Sequence, residues 1–155
     1  MSGTGWSDLA FTYYIRSLLK YEKNNEQFSA MALRCQKIAL LREEQNAQFW
    51  NNIGVYSFNV NPKMSQHSFI KAIQFNSKNA VAWSNLGYLY FIHNEMEMAT
   101  QAFQNAQILD PDCPNPWAGQ AFLQQSQNGQ NSQESLSLLH HSVYLSSGTL
   151  VFNLI

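Results

Sequence analysis

Charged side chains are scarce in this 155-residue sequence, and the few present are unevenly distributed. Asp, Glu, Lys and Arg make up 12% of the residues, against about 25% in a typical soluble protein. All nine lysines and arginines lie between Arg16 and Lys78, so residues 79–155 contain five acidic side chains and no basic one. Because a phosphate groove needs several closely spaced cations, the C-terminal half is a poor candidate for an RNA site.

Cysteines are few, and none has the sequence context of a metal ligand. Cys35 and Cys113 have no Cys or His at metal-ligand spacing, which predicts two reduced, unpaired thiols. His140 and His141 are adjacent, and adjacent helix residues point about 100° apart, so they do not readily bind one ion. Residues 1–8 lack the basic flank and apolar core of a secretory signal. We therefore expect an intracellular protein, which leaves the cytoplasm and the nucleus as compartments.

Catalytic motifs are also missing from the sequence. The close carboxylate pairs are Glu43 with Glu44, Glu95 with Glu97, and Asp110 with Asp112. Each pair falls at a predicted helix end or turn, where solvated or capping roles are usual. There is no glycine-rich phosphate loop, nucleophile elbow or metal-binding helix motif. The sequence predicts a protein that is not an enzyme and needs no cofactor.

The most regular pattern lies in the middle of the chain. Its residues are Trp83, Leu86, Gly87 and Tyr90, then Ala99, Phe103 and Ala106, and finally Pro111. The first four have the i, i+3, i+4, i+7 spacing of one helix face, and the next three have similar spacing. Small residues allow two helices to approach closely, while the rings of Trp83 and Phe103 are expected to fill the spaces between helix pairs. The pattern predicts two antiparallel helices, the second of which ends before Pro111.

The same pattern recurs along the chain. The repeated positions are Trp50, Trp83 and Trp117, at intervals of 33 and 34 residues, and Phe69 and Ala72, which lie 34 residues before Phe103 and Ala106. Gly54 also keeps its place, although Ser57 replaces the tyrosine. This period and signature resemble the tetratricopeptide-repeat family. The resemblance implies an all-α fold, a helical-hairpin solenoid in which antiparallel helix pairs stack in a right-handed superhelix.

Segments outside the central repeat predict further helix pairs with weaker signatures. Before residue 47 the tryptophan-leucine-glycine-tyrosine signature is absent, yet apolar residues keep helical spacing. The predicted organisation is a degenerate helix pair over 1–44, repeats over 47–77 and 80–111, a divergent helix pair over 114–146, and the start of a truncated helix over 147–155.

The C-terminal part carries two specific expectations. A helix is predicted over residues 133–144, with Leu136, Leu139 and Val143 on one apolar face. The apolar residues 148–155 are too few to span a bilayer, which needs about 20 apolar residues. They end without a polar cap, which predicts a fragment of a longer array whose exposed ends promote dimerisation of the isolated chain.

The first helix of each predicted pair turns a second face to the inner, concave side of such an array. The residues on that face are Gln48, Asn51, Val55 and Phe58; Ser84, Tyr88 and Phe91; and Asn115, Ala118, Phe122 and Gln125. Tetratricopeptide modules that clamp chaperone C-termini use lysine, arginine and asparagine there, so the aromatic and amide lining disfavours that function. The remaining interpretations are a groove for a transient protein or peptide partner, and permanent packing against another part of the same chain or against a permanent partner.

The basic half of the sequence leaves two interpretations open. Arg34, Lys37 and Arg42 lie close together on one predicted helix. They could face an acidic protein or a nucleic acid. The more usual role of such residues is a solvated helix face. Binding to RNA would make the affinity fall steeply with salt, which separates the two interpretations.

A narrower resemblance rests on residues 79–90 and 102–111 and on Trp117-Ala-Gly-Gln-Ala121. These blocks are similar to the superkiller protein 3 family of tetratricopeptide-repeat scaffolds. The resemblance implies a non-enzymatic scaffold whose partners are a superkiller-type RNA helicase, a WD40-repeat subunit and an exosome adaptor, acting in cytoplasmic 3′-to-5′ mRNA decay. It implies no direct contact with nucleic acid or membrane. The alternative is an unrelated tetratricopeptide-repeat adaptor with a protein or peptide in its concave groove.

Overall fold

A computed structural model describes residues 2–19, 25–128 and 133–147. All regular secondary structure in these ranges is helical, which confirms the predicted all-α class. The helices are α1 (Gly3–Leu18), α2 (Asn25–Arg42), α3 (Ala47–Ser57), α4 (Pro62–Phe75), α5 (Ala80–Ile92), α6 (Met96–Leu109), α7 (Pro114–Asn128) and α8 (Gln133–Ser147). Apart from Ser147, the truncated helix predicted over 147–155 lies outside the described residues.

The helices form two compact units, Met1–Ser77 with α1 to α4 and Lys78–Ile155 with α5 to α8. In the first unit α1 packs on α2, α3 packs on α4, and α2 also contacts α3. In the second unit α5 packs on α6, α7 packs on α8, and α7 also contacts α5 and α6. Each unit therefore consists of two helix hairpins joined through contacts between the second helix of one hairpin and the first helix of the next.

Asparagine side chains determine where several helices begin. The side-chain oxygens of Asn46, Asn61 and Asn79 each accept a hydrogen bond from a backbone N–H two or three residues later. Such a cap stabilises a helix by about 1 kcal/mol. Asn94, in the turn between α5 and α6, has a φ of 62°, a left-handed conformation that asparagine tolerates better than most residues. Part of the high amide content thus serves helix starts and turns.

The core of the second unit is organised around Phe103. This side chain of α6 is fully buried, and its ring lies against Gly87 of α5 and Gly119 of α7. A Cβ atom added at Gly87 would lie 2.7 Å from the ring, and one at Gly119 would lie 2.3 Å from it. Both glycines are therefore needed for three helices to meet at one ring. Trp83, which was expected to share this role, is only partly buried.

The first unit has the same contact between a phenylalanine ring and a glycine, but serines replace apolar residues of the signature around it. A Cβ atom at Gly54 would lie 2.3 Å from the buried ring of Phe69. Ser57, at the signature tyrosine position, donates a hydrogen bond to the Ile53 carbonyl at 2.7 Å. Ser65, at a position where the complete repeat has alanine, donates to the Gly54 carbonyl at 2.8 Å. Because each buried hydroxyl has an acceptor, these departures from the signature do not leave unsatisfied polar groups.

The first hairpin has more of the signature than the sequence analysis recognised. Trp6, Leu9, Ala10 and Tyr13 have the same i, i+3, i+4, i+7 spacing as the complete repeat, and all four belong to one apolar cluster in which Ala10 is fully buried. The complete signature is absent before residue 47, as predicted, but its tryptophan, leucine and tyrosine positions are kept. Alanine replaces the glycine, and 44 residues separate Trp6 from the next repeat tryptophan, so the regular period did not reveal it.

A buried polar network joins the first three helices. Gln36 of α2 is fully buried, and its side-chain oxygen accepts a hydrogen bond from the Ser7 hydroxyl of α1 at 3.1 Å. Its amide nitrogen donates to the Phe49 carbonyl of α3 at 3.4 Å. The amide of Asn52 donates to the same Ser7 hydroxyl at 3.3 Å. Because hydrogen bonds are directional, this network specifies how α1, α2 and α3 pack in a way that apolar contacts alone do not.

The apolar face predicted for α8 is not its buried face. Leu136 and Val143 are exposed, and Val143 keeps 63% of its accessible surface. The buried side chains are instead Ser135 and Ser142, and the Ser142 hydroxyl donates to the Pro114 carbonyl of α7 at 3.0 Å. A serine fits where two helices are close and satisfies a backbone carbonyl there, which a leucine does not do. Hydrophobic periodicity alone does not detect this choice.

Replacing Phe103 by Ala should lower the free energy of unfolding by about 3–5 kcal/mol, because the cavity left between Gly87 and Gly119 has no side chain to fill it. Urea-induced unfolding followed by circular dichroism measures the change. Phe122→Ala is the matched control in the same unit, since Phe122 is 42% exposed, and it should cost less than about 1 kcal/mol. Equal losses for the two variants would contradict the central role of Phe103.

Candidate protein-interaction surfaces

The structure separates the predicted concave-face residues into accessible and inaccessible ones. Exposed or partly exposed residues are Gln48, Val55, Tyr88, Phe91, Asn115, Ala118, Phe122 and Gln125. Asn51, Phe58 and Ser84 are buried. Of the predicted residues, only the first set is therefore accessible to a partner, and the three buried side chains contribute to internal packing.

In the first unit, α3 presents little of the predicted face to solvent. Phe58 is buried and its ring lies 6.4 Å from that of Phe69, measured between ring centroids. Gln48 is exposed, and its amide donates to the Asn52 side-chain oxygen at 3.0 Å. Val55 is partly exposed. Gln48 is thus the most accessible polar group that the prediction placed on this helix.

In the second unit, two polar side chains of α5 are used internally. The Ser84 hydroxyl donates to the Ala80 carbonyl at 2.9 Å and is fully buried. The Tyr88 hydroxyl donates to the Asn115 carbonyl of α7 at 2.9 Å, and the Tyr88 ring meets Phe103 edge-on at a centroid distance of 5.0 Å. Burial, with a smaller contribution from Cys113, raises the pKa of Tyr88 to about 12. Tyr88 therefore joins α5 to α7, and its hydroxyl already has an acceptor.

The accessible remainder of the second-unit face is aromatic and amide in character. Phe122 is exposed, and Phe91 and Gln125 are partly exposed. The acidic residues of this half are not among them, and residues 79–155 contain no Lys or Arg. These side chains suit a protein partner that offers apolar groups and amide hydrogen bonds, the chemistry found at many protein interfaces.

A second surface, which the sequence analysis did not predict, lies in the first unit. It is a cleft of about 380 Å³ lined by Leu40, Leu41, Glu44, Trp50, Lys71 and Phe75, and we call it the Trp50 cleft. Its residues come from the end of α2, the turn after it, α3 and α4. The sequence analysis treated Trp50 as a packing residue only. The available signal was Leu41 and Phe75, two apolar residues one repeat period apart and outside the signature positions.

Trp50 is held in place within this cleft. Its indole nitrogen donates to the Glu44 carbonyl at 2.7 Å. Its ring stacks on Phe75 with 6.5 Å between centroids and meets His67 edge-on at 6.0 Å. Trp117 has a corresponding hydrogen bond, from its indole nitrogen to the Pro111 carbonyl at 3.0 Å. In both copies the tryptophan is tied to the turn that precedes its helix, so its position is determined by the repeat.

Other kinds of site find no support in the part of the chain that the structure describes. No group of three or more His, Cys, Asp or Glu side chains there is arranged to hold a metal ion. None of the helices there has the length and apolar content needed to cross a membrane. Cys35 and Cys113 are free, buried thiols, and burial raises the pKa of both.

The chain is similar in sequence to segments of longer proteins. Tetratricopeptide repeat protein 37 of Xenopus laevis is 37% identical over 149 residues, which cover 91% of this chain and 9% of that protein. Superkiller complex protein 3 of Mus musculus is 34% identical over 93% of this chain and 10% of its own length. Superkiller protein 3 of Saccharomyces cerevisiae is 30% identical over 79% of this chain and 8% of its own length. The chain therefore spans about a tenth of the length of these relatives, and the resemblance stated from the sequence blocks is confirmed.

Solved structures share the fold at much lower identity. MamA aligns with a TM-score of 0.69 and 14% identity over 96% of this chain and 80% of that chain. YrrB, described as a tetratricopeptide-repeat protein with an unusual peptide-binding site, aligns with a TM-score of 0.65 and 13% identity over 96% of this chain and 71% of its own. These likenesses confirm the predicted tetratricopeptide-type helical-hairpin fold, and at such identities they show the fold alone. No protein-family model matches the chain.

Replacing Tyr88 by Phe should change how stability depends on pH above neutrality. Well below pH 10 the tyrosine is protonated in both the folded and the unfolded chain, so its contribution to the free energy of unfolding is complete. Between pH 10 and about 12 the unfolded chain releases this proton while the folded chain keeps it, so the free energy of unfolding should fall by about 2 kcal/mol. The variant should lose this part of the decline and, at neutral pH, about 1 kcal/mol from the missing hydrogen bond.

Urea unfolding measured at intervals from pH 8 to 12 tests this expectation. The informative quantity is the difference in slope between the parent chain and Tyr88→Phe. Superimposable profiles for the two proteins above pH 10 would contradict the proposed burial of the Tyr88 hydroxyl.

Proposed function

Because the chain belongs to the tetratricopeptide-repeat family and is similar to one segment of superkiller protein 3, we propose that it is part of a non-enzymatic scaffold in a superkiller-type complex. In this role it supports exosome-mediated 3′-to-5′ decay of mRNA in the cytoplasm. Its proposed partners are a superkiller-type RNA helicase, a WD40-repeat subunit and an exosome adaptor. It contacts these proteins and supplies no catalytic group.

The observation that carries this proposal is that sequence identity is much higher with superkiller proteins than with solved structures of the same fold. Identity with the superkiller proteins is 30–37% and extends over 79–93% of the chain. The solved structures MamA and YrrB share the fold at only 14% and 13% identity. A shared repeat signature alone would raise identity equally with any tetratricopeptide protein, so the excess supports a more specific relationship.

The mechanism of such a scaffold is positional. Helix hairpins with interlocked cores present surfaces whose relative positions within each unit are stable, and partners bind to those surfaces. Binding free energy is spread over broad interfaces, with a few buried aromatic anchors contributing most of it. On the predicted concave face of the second unit, Phe122 is exposed and suits such an anchor, with Phe91 and Gln125 as further contacts.

A peptide-binding adaptor outside the superkiller complex is the second candidate. The accessible residues Phe122 and Gln125 of the second unit support it, since they suit an extended peptide as well as a folded partner. YrrB, which shares the fold, is described as having a peptide-binding site. In this role the chain would recruit one protein by a short segment and would have no connection with mRNA decay.

Affinity purification of the full-length natural protein from its own cells separates these candidates. With nuclease present, we expect mass spectrometry to recover a superkiller-type helicase, a WD40 protein and exosome subunits. Phe122→Glu should reduce recovery of any partner that uses the second-unit face. Ile108→Glu is the matched control, because Ile108 is 78% exposed on α6 of the same unit and is not a predicted contact residue.

The purification also has outcomes that count against the proposal. Recovery of a different stable set of partners, with the superkiller proteins absent, would support the adaptor. Loss of the expected partners only when nuclease is added would indicate that RNA, and not direct protein contact, holds them together.

We also propose that the isolated chain self-associates through exposed apolar residues. Phe11, Ile15 and Leu18 lie at i, i+4 and i+7 on one face of α1 and are between 41% and 56% exposed. Apolar stripes of this kind on a soluble protein mark contact surfaces. Sedimentation velocity over a range of concentrations should detect a dimer, and Ile15→Asp should shift it to monomer. A monomer at every concentration would contradict this proposal.

A further inference from the structure

The Trp50 cleft combines a preformed aromatic surface with accessible apolar walls. Trp50 is held by its hydrogen bond to the Glu44 carbonyl and by its stacking on Phe75. Leu41 is 75% exposed and Phe75 is 42% exposed. An incoming apolar group would cover these side chains without displacing packed residues. Because little reorganisation is needed, most of the burial free energy would be available for binding.

Cations flank these apolar residues in the same way on both helices. Lys37 precedes Leu41 by four residues on α2, and Lys71 precedes Phe75 by four residues on α4. Residues at i and i+4 share a helix face, so each lysine lies one turn before an apolar residue of the cleft. Among the described residues neither lysine forms an ion pair. Both cations are therefore available to an anionic ligand.

This arrangement is specific to the first unit. The two lysine and apolar pairs are 34 residues apart, one repeat period. The corresponding residues of the next repeat are Asn105 and Leu109. The apolar position is thus retained in α6 while the cation is lost. The pairing of charge with apolar surface is therefore not required by the repeat signature.

From these observations we infer that the Trp50 cleft is a docking site for a short acidic peptide segment of a protein partner. An aliphatic or aromatic side chain of the segment lies against Leu41, Trp50 and Phe75. Aspartate or glutamate residues beside it lie near Lys71 and Lys37. Glu44 also lines the cleft, seven residues after Lys37 in the sequence. It disfavours acidic groups beside it and so gives the peptide one preferred direction.

The chemistry of the cleft favours a peptide over single-stranded RNA. RNA binding uses several closely spaced cations and aromatic faces that are free to stack on bases. Here Phe75 stacks on Trp50, His67 makes a T-shaped contact with the same ring, and Leu40 and Leu41 supply aliphatic walls. The carboxylate of Glu44 would also repel a phosphate.

Selection of random peptides displayed on phage against the complete 155-residue chain tests the inference. We expect enrichment of sequences with a leucine, phenylalanine or tryptophan next to two or more acidic residues. Selected peptides are then synthesised with a fluorescent label, and their affinity is measured by fluorescence anisotropy. Leu41→Asp and Lys71→Glu should each weaken binding by about tenfold or more.

Matched controls are available within the same unit. Val60→Asp introduces the same charge at an apolar residue that is 68% exposed and does not line the cleft. Lys63→Glu makes the same charge reversal as Lys71→Glu on the same helix, also outside the lining. Both controls should bind the selected peptides as the parent chain does. Circular dichroism melting of all four variants confirms that each is folded.

Three results would overturn the inference. They are the absence of any enriched acidic and apolar pattern, binding that Leu41→Asp and Lys71→Glu leave unchanged, and displacement of the peptides by oligouridylate RNA. The outcome is independent of the superkiller assignment, because the experiment uses the isolated chain and a different surface from Phe122. Failure of one proposal therefore leaves the other standing.

Discussion

The packing of both units depends on the close approach of a phenylalanine ring to a glycine backbone. Phe69 lies against Gly54 in the first unit, and Phe103 lies against Gly87 and Gly119 in the second. Each ring occupies the space where a Cβ atom would be, so the helices that meet there can be closer than side chains would otherwise permit. The remaining small residues of the repeat follow from this approach, since large ones would force the helices apart.

The same constraint explains which departures from the signature the fold tolerates. Ser65 and Ser142 lie where helices are close, and each places its hydroxyl on a backbone carbonyl of the neighbouring helix. Small size and a local acceptor are both satisfied, so an eroded copy keeps its geometry without an apolar residue. In the first hairpin the fully buried Gln36 is tolerated for a related reason, because it both accepts and donates hydrogen bonds.

The surfaces available for partners consist of side chains that the internal packing does not use. Ser84 and Tyr88 make their hydrogen bonds inside the second unit, while Phe122 remains exposed on α7. In the first unit the apolar wall of the Trp50 cleft is combined with lysines, whereas the second unit has no cation after Lys78. The two units therefore offer chemically different surfaces.

The sequence by itself determined the all-α class and the repeat period, because these depend on helical spacing, on small residues at fixed intervals and on asparagine or proline at helix boundaries. It did not determine the buried face of α8, where Ser142 rather than Val143 faces α7, because hydrophobic periodicity does not register a hydroxyl that finds a carbonyl on another helix. Nor did it distinguish accessible Gln48 from buried Asn51 on the same predicted face. Burial and the joining of α2, α3 and α4 around Trp50 arise from contacts between residues distant in the sequence, so they become visible only in the folded chain.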